Sequence, residues 1–227
     1  MAQYLMSKHD IEIQYRDDAL IVGLGRATSP AVEQRLAADG YRVTVLSEDH
    51  DGDILAALEA AADEARPAVV VFLCALPDPA GPADLAVATM IDALDRALVT
   101  AGLVAKALFT KSPPPRPSRV VMVLDWAVTS TPSRTAASAV SGGLLGLARS
   151  WSLEFAPLGV TANAVVAGPD AGDDPVHEPG DESWLVRRPT PGDVAHAVSF
   201  FADPRSAAIT GQVLMVCGGR TAGRLTI

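Results

Sequence analysis

The chain is poor in cysteine, aromatic residues and charge, and each shortage excludes a class of protein. The two cysteines are too few for a disulfide framework or a metal cluster, and aromatic residues make up only 5% of the 227 residues. Charged residues make up 20%, with a formal net charge of -9, and such an acidic surface argues against nucleic acid and anionic membranes as partners. With 49% hydrophobic residues, the chain can still bury the core of one domain.

Long apolar runs are also missing. The longest, residues 68–76, is less than half the roughly 20 residues that a membrane-spanning helix needs. The opening residues, MAQYLMSKHD, contain no apolar stretch typical of a secretion signal, so we expect a cytoplasmic protein. Cys74 and Cys217 lie in valine- and leucine-rich stretches, and we interpret both as buried, unreactive thiols. The four histidines are scattered without ligand spacing, and we predict no metal site.

Strand-like and helix-like segments alternate from Ala19 to the end of the chain. The predicted strands, several of them continuous β-branched runs, are residues 19–23, 41–46, 68–73, 119–124, 160–166 and 212–216. The predicted helices are residues 31–39, 54–65, 85–111, 135–156 and 193–201. This order predicts an α/β three-layer sandwich with a parallel sheet. We expect a single domain over 19–227, preceded by an N-terminal extension over 1–18.

Three segments in the second half carry a resemblance to a known family. They read LLGLARSWSLEFAPLGVTANAVVAGP (144–169), RPTPGDVAHAVSFFADP (188–204) and ITGQVLMVCGG (209–219). In order and wording they resemble the active-site helix with its following strand, a later helix, and the terminal strand of the short-chain dehydrogenase/reductases. The resemblance implies a Rossmann-like fold over nearly the whole chain from Ala19.

The residues that perform the family's chemistry are replaced in this sequence. Members use a Tyr–Lys pair on the long helix, a serine at the end of the preceding strand and an asparagine on the earlier helix. The resemblance places these positions at Ala137, Ser141, Leu124 and, approximately, Ala97. A methyl group cannot shuttle a proton, and a serine hydroxyl carries no charge that would lower a tyrosine pKa.

No shift of the alignment repairs this loss. The chain's tyrosines are Tyr4, Tyr15 and Tyr41, and its last lysine is Lys111, so neither residue type is available to the helix at 135–156. The sequence therefore predicts a degenerate family member.

The glycine-rich turn that would hold a dinucleotide is altered as well. In the matching stretch, GLGRATS, Gly23 keeps the first glycine, while Ala27 and Ser29 take the places of the second and third. A Cβ atom at these places blocks the close approach of the backbone to a pyrophosphate. We therefore predict no cofactor and no cofactor-binding residues. The 21 residues 47–67 are also too few for the family's helix, strand and second helix, so we expect one strand–helix unit to be missing.

Two functions remain open. The first is a structural or partner subunit without nicotinamide redox activity, in a hetero-oligomer with an active reductase or another pathway enzyme. The resemblance implies an interface through the two long helices, 85–111 and 135–156. The second is a cofactor-independent enzyme, such as a cyclase, isomerase, dehydratase or lyase, that acts on a small hydrophobic substrate in the altered cleft.

The candidate residues of the second function follow the strand at 119–124. Asp125 would be the general base, and burial against Trp126 and Leu124 would raise its pKa. The hydrogen-bonding groups would be Thr129, Ser130 and Ser141. The alternative interpretation is an ordinary turn acid beside small helix-packing residues, so these four residues are candidates and no catalytic residue is assigned.

Overall fold

The computed structural model describes residues 18–23, 28–46, 67–73, 76–109, 118–129, 132–168 and 188–219. Six strands are present: β1 (Asp18–Val22), β2 (Arg42–Leu46), β3 (Val69–Leu73), β4 (Arg119–Asp125), β5 (Thr161–Ala167) and β6 (Val213–Val216). The α-helices are α1 (Thr28–Ala38), α2 (Val87–Leu94), α3 (Thr100–Phe109), α4 (Thr135–Glu154) and α5 (Pro191–Ala202). Short 3₁₀ turns cover Trp126–Thr129, Ala156–Leu158 and Pro204–Ser206.

The six strands form one parallel sheet with the order β2-β1-β3-β4-β5-β6. The chain moves outward from β1 to β2, and then returns to β3 on the other side of β1. In open α/β sheets, ligands bind at the carboxyl ends of the strands beside such a reversal. The predicted α/β sandwich with a parallel, Rossmann-like sheet is therefore confirmed.

Alternate residues of each strand contribute to two separate cores. On one face, Phe72, Met122 and Leu124 pack with the buried residues of α3 and α4. On the other face, Ile21 and Val71 pack with α1 and α5. This period-two alternation between two apolar faces is expected of strands that are covered by helices on both sides.

The predicted helix at 85–111 contains a wider turn that the sequence did not indicate. A π-helical segment, Asp95–Val99, lies between α2 and α3, and it includes the buried Ala97. Next to it, Leu98 packs directly onto α4, because a Cβ atom built on Gly143 would lie 2.8 Å from each Leu98 methyl carbon. The close contact between the π-helical segment and α4 therefore depends on glycine at position 143.

The structure does not describe the residues at which the fold is predicted to be shortened. β2 is an edge strand among the six described strands, and residues 47–66, with the predicted helix at 54–65, are outside the described ranges. The missing strand–helix unit therefore stays a prediction, as does the N-terminal extension, although β1 already begins at Asp18. Within the described ranges, no helix is both long enough and apolar enough to span a bilayer.

Two glycine substitutions should change stability in opposite directions. A Cβ atom on Gly168 would lie 2.9 Å from the Cys217 Cα atom, whereas one on Gly102 would meet nothing within 4 Å. We expect Gly168→Ala to lower the free energy of unfolding by about 1–3 kcal/mol through overpacking. Gly102→Ala should raise it by roughly 0.5–1 kcal/mol, because alanine is the better helix former. Urea denaturation of both variants measures these changes; a neutral Gly168→Ala would contradict the described contact.

Candidate functional site

The candidate site lies where β4 ends and α4 begins. The buried strand ends at Asp125, whose carboxylate oxygen Oδ1 accepts a hydrogen bond from the backbone N–H of Ala127 at 2.7 Å. An aspartate that bonds to the backbone two residues further on favours a turn, which explains why the chain leaves the sheet here. The short 3₁₀ turn Trp126–Thr129 follows directly.

An arginine that sequence analysis did not select lies beside Asp125. The Nη1 atom of Arg134 is 3.5 Å from Asp125 Oδ2, and the two side chains are only 17% and 13% exposed. The guanidinium carbon also lies 5.3 Å from the centre of the Trp126 ring, within the range of a cation–π interaction. Asp125 is therefore paired with a cation instead of lying against apolar groups alone. In the sequence, an aspartate at the end of a strand is followed by an arginine one residue before the next helix, and this order is the signal that could have identified the pair.

The hydroxyl groups around Asp125 bond to the local backbone. Ser141 is 1% exposed, and its Oγ atom accepts a hydrogen bond from the backbone N–H of Asp125 at 3.2 Å. Thr129 donates its hydroxyl to the Trp126 carbonyl at 2.8 Å, and Ser138 donates to the Ala127 carbonyl at 3.0 Å. The structure thus gathers Asp125, Thr129 and Ser141 around one turn, while Ser130 lies outside the described residues. Their catalytic roles stay predictions.

The four positions that the resemblance assigns to catalysis are buried. Ala137, Leu124 and Ala97 are 3%, 2% and 8% exposed, and Ser141 is nearly inaccessible. The side chains at 137 and 141 carry neither the acidic hydroxyl nor the positive charge that the family uses at the nicotinamide end of its cofactor. The residues present do not fit that group there.

The single tyrosine in the described ranges, Tyr41, forms its hydrogen bond on the other side of the sheet. The Tyr41 hydroxyl donates to the Ala202 carbonyl at 2.9 Å and is buried in the core beneath α1 and α5. Because α4 covers the opposite face of the sheet, this tyrosine cannot replace the missing group at Ala137. Tyr4 and Tyr15 lie outside the described ranges.

The predicted dinucleotide turn is only partly described. Gly23 has a φ of +89° and donates its N–H to the Leu46 carbonyl at 2.9 Å. Residues 24–27 are outside the described ranges, and Ser29 is buried near the start of α1. At the nearby end of β5, Gly168 packs against Cys217, which is buried as predicted; Cys74 is not described.

Among the residues that the structure describes, we find no metal-binding group of three or more histidine, cysteine, aspartate or glutamate side chains. His196 lies on the rim of an open groove of about 600 Å³ between α5 and β6, together with the exposed Phe200 and Leu214.

Residues 27–221 match the family model described as enoyl-(acyl carrier protein) reductase. A crystal structure of an oxidoreductase of the short-chain dehydrogenase/reductase family from Burkholderia thailandensis has a TM-score of 0.81 to this chain. Its sequence is 25% identical, and the match covers 92% of this chain and 94% of that one. The chain belongs to the short-chain dehydrogenase/reductase family.

Two curated family relatives carry names that are informative together. Both are subunits of (2S)-[(R)-hydroxy(phenyl)methyl]succinyl-CoA dehydrogenase from Thauera aromatica. Subunit BbsC is 39% identical over 108 residues, which cover 46% of this chain and 43% of BbsC. Subunit BbsD is 34% identical over 116 residues, which cover 45% of this chain and 44% of BbsD. The chain thus matches less than half the length of each relative, and both relatives are named as dehydrogenase subunits.

Restoring the family's Tyr–Lys pair should destabilise this chain instead of activating it. Ala137 and Ser141 are buried on α4. Ala137→Tyr should cost about 1–3 kcal/mol through overpacking, and Ser141→Lys should cost more, because an ammonium group would be buried without a designed partner. Thermal unfolding of the single and double variants measures the loss, with Ser150→Lys on the exposed side of α4 as the control. A stable double variant that reduces a carbonyl with NADPH would contradict this interpretation.

Proposed function

We propose that this chain is a catalytically degenerate short-chain dehydrogenase/reductase that acts as the partner subunit of an active reductase in a hetero-oligomer. One observation carries the proposal: the places of the Tyr–Lys pair hold Ala137 and Ser141, and both are buried at the face of α4 that meets the sheet. Without an acidic hydroxyl and its cation, the family's proton transfer has no donor at this helix. Among the described residues, the six-stranded sheet and the helices that cover it are retained around these positions.

The names of the two Thauera relatives support a subunit role. BbsC and BbsD are named as different subunits of one dehydrogenase, and this chain resembles both. A chain of this family can therefore work beside a second family chain. In such a complex, one subunit could carry the catalytic groups while the other retains the fold and the contact surface.

Exposed apolar side chains on α2 and α4 provide a surface for such a partner. Val87 and Ile91 on α2 are 71% and 62% exposed, and Leu153 on α4 is 76% exposed. A Cβ atom on Gly142 or Gly146, on the same helix, would meet nothing within 4 Å, so another backbone can approach α4 closely here. Exposed large apolar side chains are frequent at protein–protein contacts. The predicted interface through the two long helices therefore remains the preferred one.

Cofactor binding gives the first test of this proposal. We expect isothermal titration calorimetry of the purified chain with NADH or NADPH to show no saturable binding. A family reductase that retains the Tyr–Lys pair serves as the positive control. The family model's description as a reductase makes an ordinary nicotinamide enzyme the natural competitor. Micromolar affinity for either nucleotide would overturn the proposal in favour of an ordinary nicotinamide enzyme.

The assembly surface gives the second test. We expect the affinity-tagged chain, purified from its native cell, to carry a short-chain dehydrogenase/reductase that possesses the Tyr–Lys pair, identified by mass spectrometry. Ile91→Arg should abolish this association because it places a charge in the apolar contact, yet leave the melting temperature unchanged since the side chain is exposed. Glu33→Arg, on the exposed side of α1, is the matched charge control. Equal recovery with both variants would exclude α2 from the interface.

The second candidate function is the cofactor-independent enzyme, and the placement of Asp125 and Ser141 at the end of β4 favours it. These groups lie together at the carboxyl end of the sheet, where a substrate would be expected. For any lyase or isomerase activity found in the chain, Asp125→Asn should lower turnover by at least 100-fold with the fold preserved. Unchanged turnover would remove Asp125 as the base.

A further inference from the structure

We propose that Arg134 is a positioning residue that connects the loop before α2 to the carboxyl end of β4. It would thereby fix the start of the helix that presents Val87 and Ile91. In this arrangement, the Asp125 carboxylate serves as the anchor for Arg134, which is an alternative to its role as the base in the second candidate function.

The backbone of Arg134 forms one half of this connection. Arg134 pairs with Ala80 in an isolated parallel bridge, and the N–H of Thr135 approaches the Ala80 carbonyl at 3.4 Å. Ala80 belongs to the loop that runs into α2. Further along this loop, the N–H of Leu85 donates to the Gly81 carbonyl at 2.9 Å, so a short turn connects the bridge to the first residues of the helix.

The side chain of Arg134 forms the other half. It lies 3.5 Å from the Asp125 carboxylate and over the Trp126 ring, both at the end of β4. Because the pair is largely shielded from water, solvent and salt screen it less than an exposed pair. Arginine suits this place, since its planar group can stack on the indole ring and donate to the carboxylate at the same time.

The residue before Arg134 shows that the loop is held against its local preference. Ser133 has a φ of +56°, the single positive φ of a non-glycine residue in the described ranges. A serine in this left-handed region is strained, and such strain persists only where the surroundings determine the backbone. The contacts of Arg134 with β4 and with Ala80 supply restraints of that kind.

The connection joins elements that are far apart in sequence but act on one surface. Arg134 sits next to the start of α4, and the loop that it pairs with leads into α2. Both helices carry the exposed apolar side chains described above. The effect on partner binding rests on the proposed function, whereas the positioning of the loop does not.

Hydrogen exchange measured by mass spectrometry tests the connection on the full chain. We expect Arg134→Met and Asp125→Asn to accelerate exchange at least tenfold in peptides covering residues 81–91, with α5 unchanged. Arg134→Lys should restore part of the protection, because it keeps the charge and loses the planar stacking. Arg149→Met, an exposed position on α4, is the matched control and should leave exchange at 81–91 unaltered.

The outcomes separate this inference from the proposed function. The inference about Arg134 would be overturned if Asp125→Asn and Arg134→Lys both showed wild-type exchange at 81–91, even with faster exchange at 126–138. Arg134 would then restrain only its own loop. If Arg134→Met fails to fold, Asp125→Asn and Arg134→Lys still give the comparison. NADH binding by the wild-type chain would overturn the proposed function alone, because the exchange experiment contains no nucleotide.

Discussion

The packing of α4 across the middle of the sheet is the contact on which the rest of the structure depends. Ala137, Ser141 and Leu144 on this helix are buried, and Trp151 at its far end packs against Phe72 of β3 with ring centres 6.0 Å apart. Phe155 continues this cluster to Phe109 at the end of α3. Four of the chain's eleven aromatic residues thus meet where β3, α3 and the far end of α4 converge. Near its start, α4 meets the end of β4 directly, because the Ser141 hydroxyl accepts a hydrogen bond from the backbone N–H of Asp125 at 3.2 Å.

This packing is compatible with the proposed loss of the family's chemistry, because the fold rests on apolar contacts and not on the catalytic pair. The helix that bears the catalytic pair in the family is also a main wall of the apolar core. With alanine and serine at the positions that the resemblance assigns to the pair, the apolar contacts of Leu144 and Trp151 are still in place. Hydrophobic burial is not directional and tolerates such residues, whereas the family's proton transfer requires particular atoms at hydrogen-bond distance.

Sequence reasoning predicted the strands well because each central strand is a continuous apolar run. β3 and β4 were predicted within one residue of their described limits, and the start of α4 at Thr135 was predicted correctly. The π-helical turn was not predicted, because it depends on how Leu98 meets Gly143 across two helices. Arg134 was missed for a similar reason: its partner Ala80 lies 54 positions earlier in the chain, and local patterns carry no sign of such a bridge.

The π-helical turn has a consequence for the surface as well as for the core. Each residue of an α-helix turns the chain by about 100°, so one additional residue within a turn rotates the preceding helix relative to the following one by about that angle. Val104 and Leu108 on α3 therefore point into the core, while Val87 and Ile91 on α2 point to solvent. Loss of a single residue between Asp95 and Val99 would change this phase and turn the apolar side of α2 in another direction, although the sheet would stay as it is.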